Sequence, residues 1–307
     1  MSQSFITGVD IGHKHIKAVV LKPRKNTCKL VGCYQVSVEA DILTDNHRLN
    51  YQEIVKKLKE LRKALPLFSR KVCLSIPDNM VITKQLQLDS RLNQDESQFA
   101  IKQAFSKHSV IQPDQLYFDF VILPSHSKTP NSTYQVYAAR KHDIDGLMSA
   151  CSQAKLTPLL INPYSFNLVQ IWRRATAYYQ KYDWLLIELN SCQLALYFES
   201  ELHGCVYHEV EVGATKVALS QSLKSLYSHI QLLKIKPEGV WLTGESFLSP
   251  EQVIESIPEW ESICILLPLL KLVDSDLNKQ TLLVGEFSRA LGASLSGNQW
   301  LESLDGI

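Results

Sequence analysis

Over the first 38 residues, apolar stretches come in short runs, "FITGVDIG", "HIKAVVLKP" and "KLVGCYQVSV", separated by polar, turn-like segments. Runs of this length and make-up predict three β-strands. From Asn50 the period lengthens. In "NYQEIVKKLKELRKAL" the residues Ile54, Val55, Leu58, Leu61 and Leu65 share one helical face, and Asn50 with Glu53 makes a capping-box pattern. The other face carries Lys56, Lys57, Lys59, Arg62 and Lys63 and reads as solvated surface, with contact to a membrane or an acidic partner as a secondary reading. "KVCLSIP" at 71–77 predicts another strand.

The texture then changes. From about 80 to 155 the order is strand "MVITKQLQL", helix "QDESQFAIKQAFSKH", strand "QLYFDFVIL", polar loop "PSHSKTPNS", strand "TYQVYAAR" and helix "IDGLMSACSQAK". Such a mixed unit between two strand-and-helix segments predicts an insertion with a small core of its own. The chain returns through "LTPLLI" and a helix "PYSFNLVQIWRRATAYYQ", with Asn162 expected as its cap and Pro163 in its first turn. "DWLLIELNSCQLALYFESELHGCVYHEVEVG" then repeats the opening plan of three strands, followed by a helix from about 214 to 235. A β-β-β-α unit is used twice.

Length and composition narrow the picture. A chain of 307 residues accommodates two domains, or one with a large insertion. Hydrophobic residues at 45% and charged residues at 21% make it globular, and a net charge of +1 gives no global case for nucleic-acid binding. The longest apolar stretch, "ICILLPLL" at 263–270, is too short to span a bilayer. No secretory signal is visible at the start, so a cytoplasmic location is expected. Seven scattered cysteines without a C-x-x-C argue for reduced thiols, and His13 with His15 suggests no third metal ligand.

The chemistry lies at the strand tips. Asp10 and Gly12 sit at the end of the first run, where glycine lets backbone N–H groups approach a phosphate and an acid can hold a hydrated metal ion. Asp and Gly are also ordinary turn residues. Glu188 occupies the position of Asp10 in the second unit, so two facing copies would set two acid-bearing hairpins across a cleft, as a duplicated phosphate clamp.

These residues resemble the actin-like ATPase superfamily, and within it the type IV pilus assembly protein PilM family, with the cell-division protein FtsA next. The first phosphate loop of the superfamily, Asp-x-Gly followed by small polar residues and Lys, is similar to Asp10-Ile-Gly12-His13-Lys14-His15-Ile-Lys17 here, and "SRALGASL" is similar to its closing helix. The resemblance runs nearly end to end. It implies an α/β, actin-like (ribonuclease H-like) fold, a duplicated β-β-β-α unit with an inserted α+β subdomain. Residues 1–80 with 156–181 and 285–307 would form the first subdomain, 81–155 the insertion, and 182–284 the second subdomain.

It also implies an ATP and Mg²⁺ site at Asp10, Gly12, His13, Lys14, Lys17, Glu188, Asn190, Gly213, Thr243, Gly244 and Glu245. That site departs from the pattern. The second loop reads Glu188-Leu-Asn190-Ser191 where the superfamily has Asp-x-Gly, and Gly213-Ala214 and Thr243-Gly244-Glu245 stand where paired glycines are usual. Only 12 residues of 307 are glycine, fewer than the roughly 7% of an average protein. The expectation is a divergent, HofM-like member with nucleotide binding weakened or lost, no catalytic residue and no metal site. By resemblance, its partner would be the cytoplasmic tail of a PilN-like single-pass inner-membrane protein in a pilus, competence (DNA-uptake) or type II-like secretion machine. It would reach the membrane only through that partner and make no direct nucleic-acid contact. The alternative is an active ATPase of the FtsA type. A sugar kinase would need a positioned Asp base and a second intact phosphate loop, and neither is found.

Overall fold

The computed structural model describes residues 5–12, 14–25, 27–38, 42, 49–107, 111–123, 131–190, 193–200, 204–213, 215–244, 249–275 and 283–305. The opening runs form strands β1 (Ile6–Ile11), β2 (His15–Arg24) and β3 (Thr27–Ser37), antiparallel in succession. Helix α1 (Tyr51–Ala64) returns the chain so that β4 (Lys71–Ile76) lies parallel to β1. Strand β5 (Val81–Asp89), helix α2 (Gln94–Ser106), strands β6 (Leu116–Ile122) and β7 (Asn131–Arg140) and helix α3 (Lys141–Gln153) intervene before β8 (Thr157–Pro163) pairs in parallel with β4.

After α4 (Tyr164–Tyr179) the plan recurs. Strands β9 (Trp184–Leu189), β10 (Gln193–Ser200) and β11 (Gly204–Glu211) are antiparallel and α5 (Lys216–Leu232) crosses over. Strand β12 (Gly239–Gly244), helix α6 (Pro250–Ser256) and strand β13 (Cys264–Leu266) complete the second sheet, and α7 (Ser288–Asp305) closes the described chain. The sheet orders are β3-β2-β1-β4-β8 and β11-β10-β9-β12-β13, so the two units match strand for strand.

Alternation along β1 decides what each face meets. Val9 and Ile11 join the core formed with Ile54, Leu58 and Leu61 of α1 and Leu147, Ala150 and Cys151 of α3. Ile6, Gly8 and Asp10 face the other way, toward α7. A Cβ at Gly8 would lie 1.9 Å from the Ala290 carbonyl oxygen, so only glycine lets α7 rest directly on the strand.

The sheet β5-β7-β6 is separate and antiparallel, covered on one face by Ile101 and Phe105 of α2. Helix α3 lies in the 81–155 segment by sequence but packs into the core of the first sheet.

Three details differ from the sequence reading. Lys57 is not on a solvated face: it lies one turn from Ile54 and Leu61, only 4% exposed, with its stem on the core and its amine 3.3 Å from Glu60. Asn162 does not cap α4, because β8 runs through Pro163, which is itself the N-cap residue and makes no side-chain capping bond. At α1 the Asn50 side chain accepts from the Glu53 N–H as expected, while the Glu53 carboxylate turns to Lys56 at 3.5 Å. The six described cysteines are free thiols, and burial pushes those of Cys33, Cys73, Cys151 and Cys264 up to about 12. Among the described residues no helix is long and apolar enough to cross a membrane.

Candidate functional site

Asp10 and Glu188 are each the next-to-last residue of the central strand of their sheet. Asp10 lies opposite Lys17 and Ser75, and Glu188 lies opposite Ala195 and Thr243. Both tips close as tight hairpins. The Gly12 N–H donates to the His15 carbonyl at 3.0 Å, and the Asn190 N–H donates to the Gln193 carbonyl at 3.0 Å. The Asn190 side chain accepts the Gln193 N–H as well, at 3.2 Å. Each loop thus commits these groups to its own turn.

Between the two tips lies the segment Gly285 to Arg289, a short turn of 3-10 helix running into α7. It collects the candidate residues one after another. Thr243 donates its hydroxyl to the Gly285 carbonyl at 3.3 Å, and Lys17 reaches the Glu286 carboxylate at 3.1 Å. Ser288 donates to Glu188 Oε1 at 2.5 Å, and Arg289 Nε donates to Glu188 Oε2 at 2.6 Å. Glu188 is 1% exposed and Arg289 6%. The guanidinium stacks 3.9 Å over the ring of Tyr164, whose hydroxyl donates to the Ile11 carbonyl at 2.7 Å. Burial alone would lower Arg289, but the charges of Glu188 and then Asp10 outweigh it, so the guanidinium is held above its ordinary value. Glu188 of the second sheet therefore pairs with a buried cation from α7 that also feels the charge of Asp10 in the first sheet.

The cluster continues outward. Ser165, at the start of α4, donates both its N–H (3.0 Å) and its hydroxyl to Asp78. The Tyr207 hydroxyl of β11 donates to Glu209 at 2.8 Å and lies 3.4 Å from Asp78. Burial pushes the Asp78 carboxyl up, against the pull of the Ser165 hydrogen bonds. This chain of contacts links the first sheet, α4 and the second sheet.

Of the residues singled out from sequence, Asp10, Lys17, Glu188 and Thr243 converge on the 285–289 segment. Gly244 adjoins it: its φ is +103°, and a Cβ there would lie 1.9 Å from the Leu189 carbonyl oxygen, so close packing on β9 already demands glycine. Gly12 and Asn190 hold the hairpin turns. Lys14 is exposed, and Gly213 sits beyond β11 with Ala218 close by. His13 and Glu245 lie outside the described residues. Sequence reasoning missed Glu286, Ser288, Arg289 and Tyr164. A signal existed: Arg289 is the lone charge between Glu286 and Glu302, in a helix otherwise rich in Ala, Gly, Ser and Leu.

A second candidate surface lies at the junction of the inserted sheet and the first lobe. Tyr117 and Val121 of edge strand β6 are exposed, as is Met148 of α3. The Tyr117 hydroxyl donates to Asp145 at 3.0 Å, and Lys141 stands over its ring at 5.5 Å. Lys141, Asp145 and Met148 fall on one face of α3.

The family model described as "Type IV pilus assembly protein PilM" matches residues 8–181, more than half of the chain. The chain belongs to the PilM family. Among solved structures, this PilM-family chain is similar to one from the PilM–PilN type IV pilus biogenesis complex, at 16% identity and TM-score 0.76, covering 95% of this chain and 98% of that one. The cytoplasmic domain of EpsL, an inner-membrane component of the Vibrio cholerae type II secretion system, matches at 10% identity and TM-score 0.52, over 88% and 92% of the two chains. A Bacteroides thetaiotaomicron protein of unknown function with an actin-like ATPase fold matches at 9% identity and TM-score 0.51, over 87% and 91%. Among curated proteins nothing matches. At these identities the structural likenesses establish the fold, which is the actin-like ATPase fold.

Proposed function

We propose that this PilM-family protein is a cytoplasmic scaffold of a type IV pilus-like machine that receives the cytoplasmic tail of a PilN-like inner-membrane protein and does so without a nucleotide cycle. The observation that carries the second half is the Glu188–Arg289 pair. A magnesium ion needs carboxylate oxygens and waters in near-octahedral array. Here both Glu188 oxygens are engaged by Ser288 and Arg289, and the Arg289 guanidinium also feels the charge of Asp10. Lys17, which would meet a phosphate, is taken by Glu286. The residues at the cleft do not fit Mg–ATP, and the cluster serves instead to join the two lobes.

The family match and the likeness to a PilM–PilN complex support the tail as ligand. We place its contact at Tyr117, Val121 and Met148, where the β6 edge, unpaired among the described residues, can accept an added strand and α3 supplies a polar and apolar face. The finer assignment proposed here, a HofM-like role in a DNA-uptake gene set, rests on resemblance to such divergent members, and the glycine-poor loops support it. Adjacent genes for one bitopic protein and a secretin would support it.

Calorimetric titration with a PilN-like tail peptide tests the reading. Binding is expected with and without Mg–ATP alike, and is expected to weaken about tenfold or more in Met148→Glu, as at an interface hot spot. No heat with any tail encoded nearby would remove the scaffold reading. Micromolar Mg–ATP affinity lost in Asp10→Ala would restore the FtsA-type alternative.

A further inference from the structure

Between α1 and β4 the chain makes a turn that folding does not explain. Leu65 and Ser69 are buried, and the Ser69 N–H donates to the Pro66 carbonyl at 3.0 Å, closing a β-turn whose two corner residues are Leu67 and Phe68. Corner positions usually take Gly, Asn, Asp or Ser. Here they hold large apolar side chains, 72% and 75% exposed. The turn is also held in place: Arg62 donates to the carbonyls of Leu65, Pro66 and Leu67, the last at 2.7 Å, and the Arg70 carbonyl accepts from the Thr157 N–H at 2.7 Å. The two side chains are therefore presented outward on a fixed platform.

The surroundings are basic. Between Tyr51 and Lys71 there are seven basic residues and two acids, and Lys63, Arg70 and Lys155 are exposed at this end. Lys71, Ile6 and Leu21 align in one row across the first sheet, which brings exposed Lys22 and Lys25 to the same edge. Among the described acids at this end, Asp274 lies 3.8 Å from Arg24, and Glu302 accepts from Asn298 at 2.9 Å. An apolar pair projecting from a field of Lys and Arg matches the layering of an anionic bilayer, with headgroup charge outside and acyl chain beneath.

We infer that the 65–70 turn is a direct membrane contact, in which Leu67 and Phe68 enter the interface of an anionic bilayer while the surrounding Lys and Arg hold its headgroups. This adds a lipid-facing surface to a protein expected to meet the membrane only through its partner, and it does not depend on how the tail or a nucleotide is handled. One such anchor is weak and reversible, since two residues and a basic patch fall far short of a spanning helix. It would orient a scaffold already tethered rather than hold it alone.

Sedimentation of the purified full chain with vesicles of phosphatidylglycerol mixed with phosphatidylcholine tests the contact. Binding is expected to the mixed vesicles at low salt, with little to phosphatidylcholine alone and loss at high salt as screening shortens the reach of the charges. Leu67→Ser with Phe68→Ser should reduce partitioning about tenfold or more, as withdrawing two apolar side chains from the bilayer interface implies. Arg70→Gln should lower it about fivefold, the worth of one basic residue near such a surface. Both corner side chains are exposed, so the folded far-ultraviolet dichroism should be unchanged. Phe68→Trp gives an independent reading, an emission blue shift beyond that of the native protein on adding mixed vesicles. Wild-type protein that stays in the supernatant, or a Ser double variant that partitions like wild type, overturns the inference. So does a Ser double variant that loses PilN-like tail binding while wild type ignores vesicles, because the turn would then be a protein contact.

Discussion

At the scale of single residues, Arg289 carries the most consequence. Removing it leaves Glu188 almost fully buried without its ion-pair partner, with the Ser288 hydroxyl still donating to it. Breaking one side of a buried ion pair typically costs about 3–5 kcal/mol, whereas replacing both partners by apolar groups of similar volume is often close to neutral. Arg289→Ala is therefore expected to lower stability to urea by about 3–5 kcal/mol, and Glu188→Leu with Arg289→Met to recover most of it. Equilibrium unfolding of Glu188→Leu, Arg289→Met and the double variant, with Arg289→Ala alongside, measures this, and additive losses would show that the pair is not coupled. Little of this was legible in the sequence. The acids were found, because an Asp and a Glu ending matched apolar strands stand out. Their partner was not, because pairing across roughly a hundred residues leaves no local pattern, and a single arginine on a small-residue helix looks like surface.

At the scale of elements, local periodicity served well where burial is one-sided. Strands β1 to β3 and β9 to β11 and helix α1 fall where alternation and helical spacing put them. It served less well at junctions. Lys57 follows the helical spacing of the core face but was assigned by charge, and Asn162 was assigned by its capping preference although strand pairing with β4 reaches Pro163. Stacking between β11 and α5 was not visible either: His208 and His229 lie face to face, centroids 4.0 Å apart and tilted by 14°. Burial, and then His229, lower His208 below its ordinary value of 6.5, only partly opposed by Glu209. Below that value the unfolded chain binds a proton that the folded chain resists, so stability is full above it and falls as pH drops toward the folded value. Thermal unfolding across mildly acidic pH should show this slope, and His208→Phe should flatten it.

At the scale of the whole molecule, the chain's own charges join the two sheets across the ends of β1 and β9. A ligand that binds the folded state raises the unfolding midpoint with its concentration. Millimolar Mg–ATP is expected to leave the midpoint of this protein unmoved in differential scanning fluorimetry, and a rise that Asp10→Ala abolishes would contradict that. The seat of α7 on β1 also orders events in time. Gly8 is synthesised long before Ala290, the residue of α7 that rests on it. At about 5–20 residues per second, roughly 15–60 s separate the two. Through that interval the central strand has one uncovered face, and Asp10 and Glu188 have been made without their arginine. Vectorial synthesis therefore cannot finish the first lobe before the second. Until α7 emerges β1 keeps that open face, and a chain interrupted before α7 would carry β1 to β13 without the helix that rests on Gly8.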